Sequence, residues 1–254
     1  MGKAGEAFEK LFEILAKLRA PGGCPWDREQ TYKDINPYLL EEAHEIVESV
    51  DRRDFDGLKE ELGDLLIHIF FYAGLAAEDK KFSAADVAQG AVEKLIRRHP
   101  HVFGDVKAST TKEVLENWEK IKQAEKKKGS MLEGLPKGMP ALVKAFRLGE
   151  KTSRVGLDWS DRNGVLNKVK EELAELEAEP NEQEYGDLLF SLAQLGRFLK
   201  IDPETALRKA CDRFTKRFQW IENKCRQKNQ PLQNLTAAEW DALWEEAKQK
   251  NQKI

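Results

Sequence analysis

Apolar positions recur at helical spacing along nearly the whole chain, and no strand-period segment of useful length stands out. Residues 6–19 set Phe8, Leu11, Phe12, Leu15 and Leu18 on one face with Glu and Lys opposite, which predicts a helix. The run Pro21-Gly22-Gly23-Cys24-Pro25-Trp26-Asp27 breaks it. Trp26 in such a loop is expected to plug the core, with base stacking as the other use of the ring. Helices are then predicted over 38–51 and 57–79, the second carrying a wide apolar stripe of Leu65, Leu66, Ile69, Phe70, Ala73 and Ala77. Ser83 to Asp86 resembles a helix start and introduces a helix over 84–98. Thr110 to Glu113 is a capping box that opens a helix over 111–128. Residues 126–140, rich in Lys, Gly and Pro, are expected to link a domain over 1–125 to a second over 141–254. In that second domain Val155-Gly156-Leu157-Asp158-Trp159 echoes the tryptophan loop, and helices follow over 164–179 and 182–200. A long helix starts at Asp202-Pro203, with Pro at its first position, and Thr236 to Glu239 is another capping box. The fold class is all-α.

The polar positions carry a repeat. Glu42 and Glu45 are followed by Glu61 and Asp64; Glu172 and Glu175 are followed by Glu184 and Asp187. Each pair is spaced i, i+3, so both side chains share a helix face. If each copy is an antiparallel helical hairpin, facing residues lie equally far from the turn. Glu42 with Asp64 and Glu45 with Glu61 both centre on residue 53, and the second set centres between Glu179 and Pro180. Both centres fall in breaker sequences, so both hairpins bring four carboxylates to one level. The second hairpin is shorter, but symmetrically so. Further on, Glu113, Trp118 and Lys122 have the same spacing as Glu239, Trp244 and Lys248, and Lys94 and Arg98 precede the first set as Arg213 and Arg217 precede the second. The chain therefore reads as two tandem repeats of one helical bundle.

Composition narrows the chemistry. With 254 residues the chain is long enough for two domains with real cores. A net charge of −3 lacks the basic footprint of a nucleic-acid binder, so no direct nucleic-acid binding is expected. Three cysteines without a CxxC suit a reducing cytoplasm. The chain opens on a charged amphipathic segment, so no signal peptide is expected. The longest apolar run, 65–77, is too short to span a bilayer, so no membrane partner is expected.

Converging carboxylates repel unless a cation lies among them or some are protonated. Hard divalent cations take oxygen ligands, and Mg²⁺ adds substrate phosphates to a few carboxylates. Cations on one helix face, with a tryptophan one turn from a lysine, would complete a nucleoside triphosphate site. There is no GxxxxGK[ST] loop, which excludes a P-loop enzyme. Other readings stand beside this one. The glutamates could lie on solvated faces, Trp118 and Trp244 could anchor the core, and Arg213 and Arg217 could pair with abundant Glu. His99 and His101 read as a cap and turn feature. Glu41 with His44 suggests a di-iron bundle, but the second copy has Ala174 where that histidine would be.

Gly23-Cys24-Pro25-Trp26-Asp27, the two carboxylate sets, Arg97-Arg98-His99-Pro100-His101-Val102-Phe103 and Val155-Gly156-Leu157-Asp158-Trp159 together resemble the tandem-domain MazG nucleoside triphosphate pyrophosphohydrolases over nearly the whole chain. The resemblance implies hydrolysis of NTPs and dNTPs to a monophosphate and pyrophosphate, in house-cleaning or control of nucleotide pools. It implies Mg²⁺, with Mn²⁺ as a substitute, and a homodimer whose sites borrow contacts from the neighbouring subunit. By motif, the metal ligands are Glu172, Glu175, Glu184 and Asp187, with Glu42, Glu45, Glu61 and Asp64 in the first half; Glu172 and Glu175 are catalytic. Lys168, Glu171, Arg213, Arg217, Trp244 and Lys248 would hold the nucleotide, as would Lys94, Arg98, Trp118 and Lys122 in the first half. The second half departs in its shortened hairpin and in Arg213, where a lysine is common. Turnover is expected in the second half, as in tandem members generally. A non-catalytic helical module that binds nucleotides or a protein partner is the alternative.

Overall fold

The computed structural model describes residues 2–125 and 130–251, which fall into two compact units divided between residues 127 and 128. The described residues contain no strand, and no helix among them is long and apolar enough to cross a membrane.

The first unit opens with α1 (Lys3–Arg19), a short α2 (Pro25–Glu29) and the hairpin α3 (Tyr32–Arg52) and α4 (Phe55–Glu78). It closes with α5 (Ala84–Arg98), a single turn α6 (Pro100–Phe103) and α7 (Thr111–Glu125). Helix α3 lies along α4, α1 packs on α4, and α5 pairs with α7. The buried residues Leu15, Ile35, Phe71 and Leu75 join α1, α3 and α4. Arg19 fastens the tryptophan loop to this core. Its guanidinium lies 4.9 Å above the Phe71 ring, pairs with Glu78 at 2.7 Å and donates to the carbonyls of Asp27 and Gln30.

The second unit contains α8 (Ala141–Ser153), the hairpin α9 (Arg162–Ala178) and α10 (Glu182–Leu199), then α11 (Pro203–Gln227) and α12 (Ala237–Asn251). Here α8 packs on α10, and α11 pairs with α12 around buried Ile221, Cys225 and Ala247. Each unit thus has a leading helix, a hairpin and a closing pair.

Local signals explain most helix boundaries. Thr31 and Asp34 form a capping box, Thr31 N–H donating to the Asp34 carboxylate at 2.9 Å, and α3 therefore starts at Tyr32 with Pro37 inside it. The sequence predicts that helix from 38; the Thr31 cap starts it at Tyr32, and Pro37 in the second turn removes one backbone bond. Arg53, at the predicted centre of the first hairpin, takes the left-handed conformation (φ 56°), and Asp54 then caps α4. In the second hairpin Asn181 accepts from the Glu184 N–H at 3.0 Å, so the cap holds a predicted site residue directly. Asp202 caps α11, and Thr236 with Glu239 caps α12. Helix α8 has no counterpart in the sequence reading, although Leu142, Ala145, Phe146 and Gly149 repeat at i, i+3, i+4 and i+7. The lysine run at 126–128 lies outside the described residues.

Trp26 does not plug the core. It is 55% exposed on α2 and meets Tyr38 edge-on at 6.4 Å, because Arg19 and Phe71 already fill the space under the loop. Trp159 is half-buried and lines a cavity with Leu148, Thr152, Phe190 and Gln194.

The α8–α10 contact depends on Gly149. A Cβ there would lie 1.7 Å from Oε1 of Gln194. Gln194 is fully buried and cannot retreat, since its amide donates to the Ala145 carbonyl at 2.6 Å and accepts from Arg197 at 2.9 Å. Gly149→Ala is therefore expected to destabilise the second unit by about 1–3 kcal/mol, the usual cost of overpacking. Calorimetry of the full chain should show this as a lowered melting temperature.

Candidate metal and nucleotide site

Both hairpins gather three carboxylates. Glu42 and Glu45 on α3 converge with Glu61 on α4, and Glu172 and Glu175 on α9 converge with Glu184 on α10; in each group one ligand oxygen per residue lies within 4.8 Å of the others. Asp64 and Asp187 stand one turn further along α4 and α10 and are not members of these tight groups. The equal-distance rule puts them at the right level, but aspartate is one methylene shorter than glutamate and reaches less far across the hairpin.

The carboxylates feel one another. Burial pushes the Glu61 carboxyl above the ordinary range, and the charges of Glu45 and Glu42 add to this. Glu175 is likewise raised, first by burial and then by Glu172, with Lys168 opposing. The two units differ in what answers the buried glutamate. In the second, Lys168 Nζ sits 2.8 Å from both Glu171 and Glu172, and these hydrogen bonds raise the lysine pKa. Glu172 is buried. In the first, His68 Nε2 lies 3.5 Å from Glu42, with Tyr38 stacked on the imidazole at 6.0 Å. Oε2 of Glu42 and Nδ1 of His68 are buried without a partner among the described residues. Three converging carboxylates with an unpartnered buried oxygen fit a hard divalent cation.

The aromatic and cationic residues form a second group in each unit. Trp118 lies between Arg98, whose Cζ is 5.3 Å from the ring centre, and Lys122, whose Nζ is 4.7 Å away. Trp244 meets Arg217 at 5.9 Å and Phe214 at 5.0 Å, and it also packs on the Ile221–Cys225–Ala247 core. It serves as a core anchor and presents a ring to a cation at once. Lys248 turns to Glu245 at 2.5 Å and does not repeat the Lys122 contact. Lys94 and Arg213 are exposed. Among the described residues, no hydrogen bond, ion pair or ring contact joins the carboxylate group to the tryptophan group within either unit. A ring nitrogen of His99 meets the Leu95 carbonyl at 2.7 Å, which is the cap role read from sequence.

His68, Tyr38 and Glu125 escaped the sequence reading. His68 was detectable at i+7 from Glu61, on the same helix face. Glu125 lies at i+7 from Trp118. Tyr38 had no such signal, since its role depends on the packing of α3 on α4.

These arrangements accompany a clear relationship to known proteins. The family model for the MazG nucleotide pyrophosphohydrolase domain matches residues 30–103, within the first unit. The chain is 45% identical over 254 residues to the nucleoside triphosphate pyrophosphohydrolase/pyrophosphatase MazG of Thermotoga maritima, covering 98% of each. It is 38% identical over 253 residues to the nucleoside triphosphate pyrophosphohydrolase of Escherichia coli K12, covering 94% of this chain and 96% of the relative.

The raised Glu61 and Glu175 carboxyls imply a pH dependence. A folded-state pKa above the unfolded value means the folded chain holds the proton more tightly. Their contribution therefore favours folding at low pH and is lost as the pH rises from the ordinary glutamate range, about 4.3, through the raised values. Above that range a divalent cation should restore stability, by about 2.7 kcal/mol at one hundred times its Kd. Thermal melts with Mg²⁺ and with EDTA should show a Mg²⁺-dependent rise. The double variant Glu61→Gln, Glu175→Gln should melt higher than wild type without metal and lose most of that rise.

Proposed function

The chain belongs to the MazG family, and from that membership we propose a Mg²⁺-dependent nucleoside triphosphate pyrophosphohydrolase that converts NTPs and dNTPs to a monophosphate and pyrophosphate. The observation that carries the reading is the three-glutamate group on a helical hairpin, present in both halves of a chain similar over its full length to enzymes named for this reaction. Glu172, Glu175 and Glu184, with Asp187 at the next turn, would hold the cation in the second unit, as Glu42, Glu45, Glu61 and Asp64 would in the first. A bound divalent cation supplies charge neutralisation at the phosphates and an acidified water, roles that Mg²⁺ fills and Mn²⁺ could also fill.

The chain's own residues would do the rest. Glu175 is more exposed than Glu172 and its carboxyl is raised, which suits it to take a proton from the attacking water at Oε. Glu172, buried against Lys168, would keep a fixed place at the base of the site. Once a cation takes over Glu172, the Lys168 ammonium would be free to turn toward phosphate oxygens, with Glu171 holding it in reach. Arg213 and Arg217 would stabilise charge that develops on the leaving pyrophosphate. Trp244 offers a ring to the base, and Lys248 lies one turn on.

Several features support a homodimer. The carboxylate and tryptophan groups of one unit share no hydrogen bond, ion pair or ring contact among the described residues, which leaves room for helices of a second copy to complete the site. The units also leave large apolar side chains exposed, among them Leu95, Ile96, Tyr185, Leu189, Leu192 and Phe214. Three free cysteines suit a cytoplasmic enzyme. The pattern favours turnover in the second unit, where a lysine already balances the buried glutamate.

The test is product analysis with each common NTP and dNTP, with Mg²⁺ and with EDTA. Pyrophosphate and monophosphate should form with Mg²⁺ alone. Orthophosphate and a diphosphate would place the cleavage elsewhere. Glu172→Ala should lower kcat by about 10²-fold or more, the scale of misplacing the reacting groups when a residue that holds the cation is lost. Glu42→Ala should have the smaller effect, and the opposite ranking would move turnover to the first unit.

A further inference from the structure

The tryptophan groups of the two units differ in how their arginines are paired. In the first, Glu125, the last residue of α7, binds two arginines of α5 together. Its Oε1 accepts from Arg97 Nε at 2.7 Å, and its Oε2 accepts from Arg98 Nε at 3.1 Å and from Arg98 Nη2. The carboxylate is only about one-fifth exposed, as is Arg98, which also covers the Trp118 ring. Two carboxylate oxygens held by two guanidinium groups beside an aromatic ring make the kind of contact that phosphate oxygens make with arginine. The arginines drive the Glu125 carboxyl down to about 2, so the contact persists across physiological pH.

Among the described residues of the second unit, no carboxylate pairs with the corresponding arginine. Arg217, the counterpart of Arg98, forms no ion pair among the described residues, and its Nε is buried without a partner. Arg213 likewise has none among them. In sequence, Trp118 is followed seven residues on by Glu125, whereas Trp244 is followed seven residues on by Asn251, which carries no charge.

We infer that Glu125 is an internal anion that closes the phosphate-binding cations of the first unit, and that this single carboxylate leaves triphosphate binding to the second. The inference rests on the reading that the tryptophan–arginine groups receive nucleotide. It adds a cause for the division between two otherwise similar units: the first is not short of cations, but its Arg98 is already paired, together with Arg97. A triphosphate would have to displace Glu125, giving up hydrogen bonds to both arginines, whereas Arg217 gives up no ion pair.

The test uses the full chain, saturating Mg²⁺ and a triphosphate whose α–β bridge is a methylene group, so that binding is measured without turnover. Titration calorimetry of the wild type should show one tight site per chain that Arg217→Ala removes. Glu125→Gln should add a second site by strengthening the first unit's binding about tenfold, the scale of freeing two arginine pairs of this exposure. Glu125→Asn, which copies the second half's residue, should do the same and serves if the glutamine variant folds poorly by circular dichroism. Adding Arg98→Ala to either variant should remove the new site.

Two equal sites in the wild type, survival of its one site in Arg217→Ala, or one unchanged site in the Glu125 variants would each overturn the inference while leaving the nucleotide reading intact. No binding by any form would overturn both.

Discussion

Repulsion among like charges on a short helical hairpin is the constraint on which this structure turns. Three glutamates whose oxygens approach within 4.8 Å oppose folding unless something positive answers them. The hairpin brings them together because two tight turns, one at Arg53 in the left-handed conformation and one capped by Asn181, set the register of the facing helices. The leading helix of each unit covers the back of its hairpin and makes that register rigid. The cost of gathering the charges becomes a binding capacity, since the cation that relieves the repulsion also draws in phosphate.

The two units meet this constraint differently. The second balances its buried glutamate with Lys168, a cation that stays charged at all relevant pH. The first sets a histidine against Glu42 at a longer distance and stacks a tyrosine on it. The same contrast recurs at the tryptophans, where the first unit pairs its arginines internally and the second leaves Arg217 unpaired among the described residues. Similar helix order therefore supports different chemistry, because a few side chains decide which charges are already satisfied before any ligand arrives.

Much of this was legible in the chain. The i, i+3 carboxylate pairs, the shared midpoints of the hairpins and the equal spacing of the two Trp–Lys sets depend only on helix geometry, and helix geometry is local. Caps such as Ser83 with Asp86 and Thr236 with Glu239 are equally local, and α5 begins where its cap predicts. Other features were hidden. Trp26 lies at the surface because Arg19, seven residues earlier, reaches under the loop to Phe71. Helix α8 was masked by the glycines and prolines that precede it.

The sequence alone determined the all-α class, the hairpin turns and the six glutamates that would meet across them, because turn chemistry and a period of 3.6 residues act within a few residues of chain. Tertiary structure decided which of the aligned charges are free. His68 under Tyr38 and Glu125 across Arg97 and Arg98 depend on how helices pack and on side-chain reach, whereas Lys168 against Glu172 is an i, i+4 pair of which only the burial is tertiary. An ion pair between residues 27 or 28 positions apart has no local signature, and its strength depends on burial that only the folded chain creates.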